Sequence, residues 1–106
     1  MANRSNFYKL EMLILSILKK TDCYGYQITK SIKELSHNRI VIGDGTMYNI
    51  LYKLMDTGFI SSYEKIVGRK IRVYYHIEDT GQEYLTELIK EFYQMVQTVQ
   101  SIIEEK

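Results

Sequence analysis

Apolar residues recur along this chain at two different spacings, and the changes of spacing divide it into elements. From Phe7 to Lys19, the positions Leu10, Leu13, Ile14, Ile17 and Leu18 follow a helical step, while Met12 and Leu15 fill a second face. A helix apolar on more than one side is buried between two bodies. A second helix is expected from a cap at Thr21-Asp22 to about Ser36, with Gly25, Ile28, Ile32 and Leu35 inward and Lys30, Lys33 and Glu34 outward. Residues 36–43 form the link, in which Ile40-Val41-Ile42 has the composition of a short strand. A third helix is expected from Asp44, read as its cap, to Gly58, read as its left-handed stop. Projected at about 100° per residue, Met47, Ile50, Leu51 and Leu54 form its core side. Its other side carries Gly45, Tyr48, Asn49, Tyr52, Lys53 and Asp56, with Thr46 in the first turn.

After Gly58 the period falls to two. Residues 59–67 and 71–77 read as two strands joined by the turn Gly68-Arg69-Lys70. Ile71, Val73, Tyr75 and Ile77 share one face of the second strand, and Arg72, Tyr74 and His76 share the other. From Asp79 the helical period returns and lasts to the C-terminus. Thr80-Gly81-Gln82-Glu83 has capping-box spacing. An apolar stripe then runs through Leu85, Leu88, Ile89, Phe92, Met95, Val96, Val99, Ile102 and Ile103. Such a stripe needs a cover, and the first helix and a second copy of the same helix are the expected ones. Leu85, Leu88, Ile89, Phe92, Val96, Val99 and Ile103 are the expected dimerisation residues. The fold class is therefore mostly α with a small β-hairpin. A winged helix-turn-helix is expected over residues 1–77, followed by a long C-terminal dimerisation helix over 78–106.

Charge sharpens this picture. The net charge of +1 conceals a split: residues 1–77 hold 12 Lys and Arg against 6 Asp and Glu, and residues 78–106 hold 2 against 7. A basic body with an acidic tail suits a protein that turns one part toward phosphate. The outward side of the third helix can donate to phosphates and reach base edges, and a helix fits the major groove. The rival reading is a winged helix that serves as a protein-interaction module without specific DNA binding, because the fold alone does not confer a function. That reading calls for an apolar or acidic outer face, whereas this face offers Thr, Asn, Lys and Tyr.

Other chemistries find little support. Cys23 is the only cysteine, which excludes an internal disulfide and a thiolate metal cluster. His37 and His76 lack ligand spacing, so no metal, cofactor or catalytic role is expected. No signal peptide and no apolar run near the roughly 18 residues of a membrane span are evident, and a cytoplasmic location is expected.

The chain resembles the PadR family of bacterial transcriptional regulators, in particular its short subfamily with one C-terminal dimerisation helix. The residues that carry the resemblance are Leu13 to Leu18 followed by Tyr24-Gly25-Tyr26-Gln27-Ile28; then Gly45-Thr46-Met47-Tyr48 with Leu51, Leu54 and Gly58-Phe59-Ile60; then Arg72-Val73-Tyr74-Tyr75 and Gly81. The resemblance implies a homodimer on a pseudo-palindromic double-stranded operator, usually as a repressor released by a small aromatic or hydrophobic effector. It assigns DNA contact to Thr46, Tyr48, Asn49, Tyr52 and Lys53 on the recognition helix, to Lys70 and Arg72 on the wing with Arg69 at its tip, and to Tyr24 in its motif. It assigns effector contact to Met12, Ser16, Phe92 and Val96. Two positions depart from the family pattern. Ile71 stands where the wing usually has proline, and Glu78 stands where a threonine usually precedes the last helix.

Overall fold

The computed structural model describes residues 8–105. Its order is α1 (Leu10–Lys20), β1 (Cys23–Tyr24), α2 (Gly25–Leu35), α3 (Asp44–Asp56), β2 (Ile60–Val67), β3 (Lys70–Ile77) and α4 (Asp79–Ile103). The three strands form one antiparallel sheet in the order β1-β3-β2. This is a winged helix-turn-helix carrying a long last helix.

α1 lies at the centre. Met12, Ile14, Leu15, Ile17 and Leu18 are all buried, and Ile14 and Leu15 have no exposed surface. The two-sided apolar pattern is explained by its neighbours, since α1 packs against α2, α4 and β3. Ile28 and Ile32 from α2, Met47, Leu51 and Leu54 from α3, and Leu85 and Leu88 from α4 complete the core. Each such side chain contributes about 1.5–3 kcal/mol on burial. Leu35, expected inward, is 62% exposed, because α2 ends there and the chain turns away. The expected start of the first helix at Phe7 falls outside the described residues, and α1 begins at Leu10.

Helix ends differ from the expected caps in an informative way. α3 does stop as expected. Gly58 is left-handed, its N–H bonds to the Met55 carbonyl, and the Phe59 N–H bonds to the Leu54 carbonyl, which is the Schellman arrangement. The starts are different. α3 is preceded by Gly43 without a side-chain cap, and Asp44 lies inside the first turn, where the helix dipole favours its charge. α2 starts at Gly25 rather than after Thr21-Asp22, with the Tyr24 N–H donating to Gln27 Oε1 at 3.2 Å. α4 starts at Asp79 after Glu78, and the Thr80 hydroxyl donates to the Gly58 carbonyl at 2.8 Å instead of capping its own helix. Residues 40–42 form no strand. Ile42 is buried as a loop residue, and the third strand is β1.

The entry into α4 fixes its direction. The Phe59 carbonyl accepts the Glu78 N–H at 2.9 Å, and a Cβ placed on Gly81 would meet that same oxygen at 2.1 Å. Only glycine permits this contact. Further along, the Tyr84 ring stacks on Phe59 at 4.4 Å, and its hydroxyl donates to the Glu11 carboxylate of α1. Burial first, and then this carboxylate, push the Tyr84 phenol up to about 12. The last third of α4 leaves the core, with Met95, Val99, Ile102 and Ile103 exposed.

Gly81→Ala is expected to lower stability in urea unfolding by about 3 kcal/mol, because the clash is with backbone and cannot be relieved by a rotamer change. Gly45→Ala, which meets nothing within 4 Å, should stay within about 1 kcal/mol of the parent. Equal stabilities for the two variants would contradict the docking described for α4.

Candidate nucleic-acid interface

α3 turns Thr46, Tyr48, Asn49, Tyr52 and Lys53 to solvent while Met47, Leu51 and Leu54 hold it to the core. The amphipathic division expected of this helix is present. The two tyrosines pack on one another with ring centroids 6.2 Å apart. Tyr48 also leans on the start of α2, where a Cβ on Gly25 would come within 2.6 Å of its hydroxyl. Gly25 thus leaves room for the Tyr48 hydroxyl where α3 approaches α2. Buried Tyr75 of β3 joins this corner. Burial raises its phenol most, and the nearby Tyr48 and Tyr52 add to the shift.

The wing is a two-residue hairpin. Gly68 has a φ of 65° and Lys70 already pairs with Val67, so the turn is Gly68-Arg69 and not the expected three residues. A glycine at the first turn position fits a type II′ hairpin. Arg69 and Lys70 are exposed at the tip. Arg72 is different. Its guanidinium carbon lies 4.1 Å over the Tyr24 ring, and its Nε is buried without a hydrogen-bond partner among the described residues. Such stacking of a cation on a ring is worth about 0.5–1 kcal/mol near a surface. Tyr24 is half-buried between this arginine and Tyr74, whose ring it meets edge-on at 5.5 Å.

The hairpin register brings together residues that the sequence reading passed over. Tyr63 pairs with Tyr74 and Lys65 with Arg72, so one face of the wing carries an aromatic ladder of Tyr24, Tyr74 and Tyr63. Lys65 lies 5.2 Å over the Tyr74 ring. At the base of the ladder, the Asp22 carboxylate accepts from Tyr63 at 2.7 Å and from His76 Nδ1 at 2.8 Å. Asp22, read as a helix cap, instead joins the wing to the segment before β1, and His76 is exposed on the wing strand while bonded to it. The signal was present in the period-two pattern. A turn one residue shorter places Tyr63 opposite Tyr74.

The opposite wing face follows the expected alternation, but only its base is covered. Tyr75 and Ile77 are buried, while Ile71 and Val73 are 65% and 42% exposed because the hairpin extends past the core.

The effector candidates lie between α1 and α4. Met12, Leu13, Ser16, Ile89, Phe92 and Tyr93 line an open, mainly apolar groove of about 480 Å³. Ser16 spends its hydroxyl on the Met12 carbonyl at 2.7 Å. Val96 is half-buried one turn beyond Phe92 and does not line this groove. Of the expected dimerisation residues, Leu85 and Leu88 are buried within the chain's own core, Ile89, Phe92 and Val96 are half-buried, and Val99 and Ile103 are exposed.

A winged helix with an exposed polar recognition-helix face and a basic hairpin tip defines a class of regulator, and comparison with known proteins gives the family. Residues 14–87 match the transcriptional regulator PadR-like family, and the chain belongs to it. Its members are transcriptional regulators and not enzymes. The chain is similar to smu.1704 from Streptococcus mutans, at 35% identity and a TM-score of 0.84, covering 99% of this chain and 95% of that one. It is also similar to the transcriptional regulator Cth-833 from Clostridium thermocellum, at 29% identity and a TM-score of 0.83, covering 90% and 93%. A third similar structure is Bacillus subtilis PadR in complex with operator DNA, at 32% identity and a TM-score of 0.69, covering 76% of this chain and 46% of that protein. Among the described residues no helix is long and apolar enough to cross a membrane.

Gly25→Ala is expected to cost about 1 kcal/mol and to cost less in a Tyr48→Phe background, because the closest atom it meets is the Tyr48 hydroxyl. Thermal unfolding of the four proteins of this cycle measures the coupling, and strict additivity would contradict the packing of α3 on α2.

Proposed function

We propose that this chain is a dimeric, sequence-specific DNA-binding regulator that represses transcription and is released by a small aromatic or hydrophobic effector. The observation that carries the reading is the exposed face of α3, where Thr46, Tyr48, Asn49, Tyr52 and Lys53 stand clear of the core on a helix held rigidly from behind. Lys53 and the polar side chains supply base and phosphate donors. Arg69 and Lys70 supply phosphate contacts from the wing, and Arg72, stacked on Tyr24, adds its charge to the same hairpin. The similar Bacillus subtilis PadR was solved with operator DNA, which supports the same role for this fold here.

The dimer reading rests on the outer part of α4. Val99, Ile102 and Ile103 are 37%, 71% and 74% exposed on one helix, an apolar patch of the kind that marks an interaction site. A two-fold pairing through α4 would set two recognition helices about one DNA turn apart. The effector reading rests on the apolar groove beside Phe92. A naphthalene-sulfonate dye should brighten on the protein and lose most of that gain with Phe92→Ser; an unchanged gain would count against this groove as the ligand site.

Fluorescence anisotropy on the chain's own promoter DNA against a scrambled duplex, across a salt series, tests the function. The parent should prefer its promoter by at least tenfold. Lys53→Ala should weaken binding at the cost of about 1–3 kcal/mol if it reads a base, and Lys70→Ala should weaken both duplexes alike with a shallower salt slope. Equal weak binding to both duplexes, unaffected by either substitution, would favour a protein-interaction module.

A further inference from the structure

The wing is attached to the body through little backbone. β1 pairs with β3 at only two positions, Cys23 with Tyr75 and Tyr24 with Tyr74. Beyond them the hairpin extends with most of its residues exposed. Ile60, Tyr75 and Ile77 bury its base in the core, and a side-chain junction holds one face of it. Asp22 accepts one hydrogen bond from each wing strand, Tyr63 of β2 and His76 of β3. Next to it Tyr24 packs on Tyr74 and under Arg72. Tyr24 also begins α2, whose Gly25 touches Tyr48 of α3. One continuous chain of contacts therefore runs from the wing strands through residues 22–25 to the recognition helix.

We propose that Asp22 and His76 are positioning residues for DNA binding, forming a carboxylate brace that sets the wing's angle to the recognition helix and tightens when His76 is protonated. The proposal rests on the DNA-binding reading above and adds that an acidic side chain beside the basic wing strengthens binding. Simple electrostatics predicts the opposite, since an anion near the phosphate backbone repels it.

The groups facing His76 agree on the sign. Its hydrogen bond to Asp22 raises its pKa above 6.5, against desolvation, and the charges of Asp22, Glu78 and Asp79 add to the rise. Tyr63 shares the same carboxylate from β2, and Glu78 is itself held by the Ser61 hydroxyl. Desolvation pushes Asp22 up, but the hydrogen bonds from Tyr63 and His76 outweigh it, and the carboxylate is held below its ordinary value. A histidine whose folded pKa is raised contributes stability that is fully present below its unfolded pKa, here about 6.5, and lost as pH rises through the folded value. The brace is tightest on the acid side of neutrality. Neutral His76 can still donate from Nδ1, so the brace loosens with rising pH without parting.

The test is promoter binding by anisotropy at pH 6 and pH 8, at constant ionic strength, for the parent, Asp22→Asn, His76→Asn and His76→Ala. His76→Asn keeps a donor near the Nδ1 position and cannot titrate. The parent should gain about two- to fivefold in affinity at pH 6 relative to His76→Asn, the range expected of an exposed ion pair. His76→Asn should stay near the parent at pH 8, and His76→Ala should be weak at both values. Asp22→Asn should bind more weakly than the parent despite its lost negative charge. Tighter binding by Asp22→Asn, or a parental pH profile in His76→Asn, would overturn the brace. Backbone 15N relaxation of Arg69 and Lys70 in the free protein gives a readout independent of DNA. The wing should become more mobile in Asp22→Asn and His76→Ala but not in His76→Asn, and unchanged mobility in all three would also overturn it. A parent without promoter preference would instead sink the DNA-binding reading, leaving the brace to be judged on wing mobility.

Discussion

The carbonyl of Phe59 is the point on which the arrangement turns. It lies where α3 has just ended and β2 begins, and it accepts the Glu78 N–H at the point where β3 gives way to α4. Gly81 lets α4 approach that oxygen closely enough to run back over α1. One backbone group thus ties the end of the recognition helix, the root of the wing and the start of the tail helix. Phe59 and Tyr84 stack over the same corner, and Tyr84 carries the connection to Glu11 on α1. Because the corner is fixed, the buried residues of α3 can hold its polar face outward without help from that face.

The wing is held by different means. Its base belongs to the core through Ile60, Tyr75 and Ile77, but its outer part relies on side chains stacked on one face. Tyr24, Tyr63 and Tyr74 form a ladder roofed by Arg72 and Lys65, with Asp22 beneath. The corner is thus fixed by backbone and core contacts and the outer wing by side-chain contacts. The α1–α4 groove lies on the side of α1 that belongs to α4, so an occupant there would act on the corner through α1 and α4 before it reached α3.

The helical faces and the hairpin were legible in the sequence because burial imposes a period, and the period survives in residues such as Ile14, Leu51, Leu54 and Leu85. The helix stop at Gly58 was legible for the same local reason, a left-handed residue at a Schellman end. The helix caps were not, although α3 and α4 do begin at Asp44 and Asp79. Asp22, Asp44 and Thr80 all have cap chemistry, yet Asp22 joins the wing strands, Asp44 sits inside its helix and Thr80 bonds to Gly58. For Asp22 and Thr80 a tertiary partner outcompeted the local bond each could have made. The exposed face of α3 was legible because its exposure follows from the opposite face being core. The Asp22–Tyr63–His76 junction was missed because it joins positions 41 and 54 residues apart, which only the exact turn length brings together.

The central claim is that the outward face of α3 and the wing tip form a single DNA-reading surface. The most direct measurement is the change in backbone amide shifts of 15N-labelled protein on titration with its own promoter duplex. The account predicts that the largest changes fall on residues 44–57 and 68–72, with those of Thr46, Asn49, Lys53, Arg69 and Lys70 moving together along one binding curve. Changes confined to α4 or to the outer side of α2, with the α3 amides unmoved at saturating duplex, would contradict it.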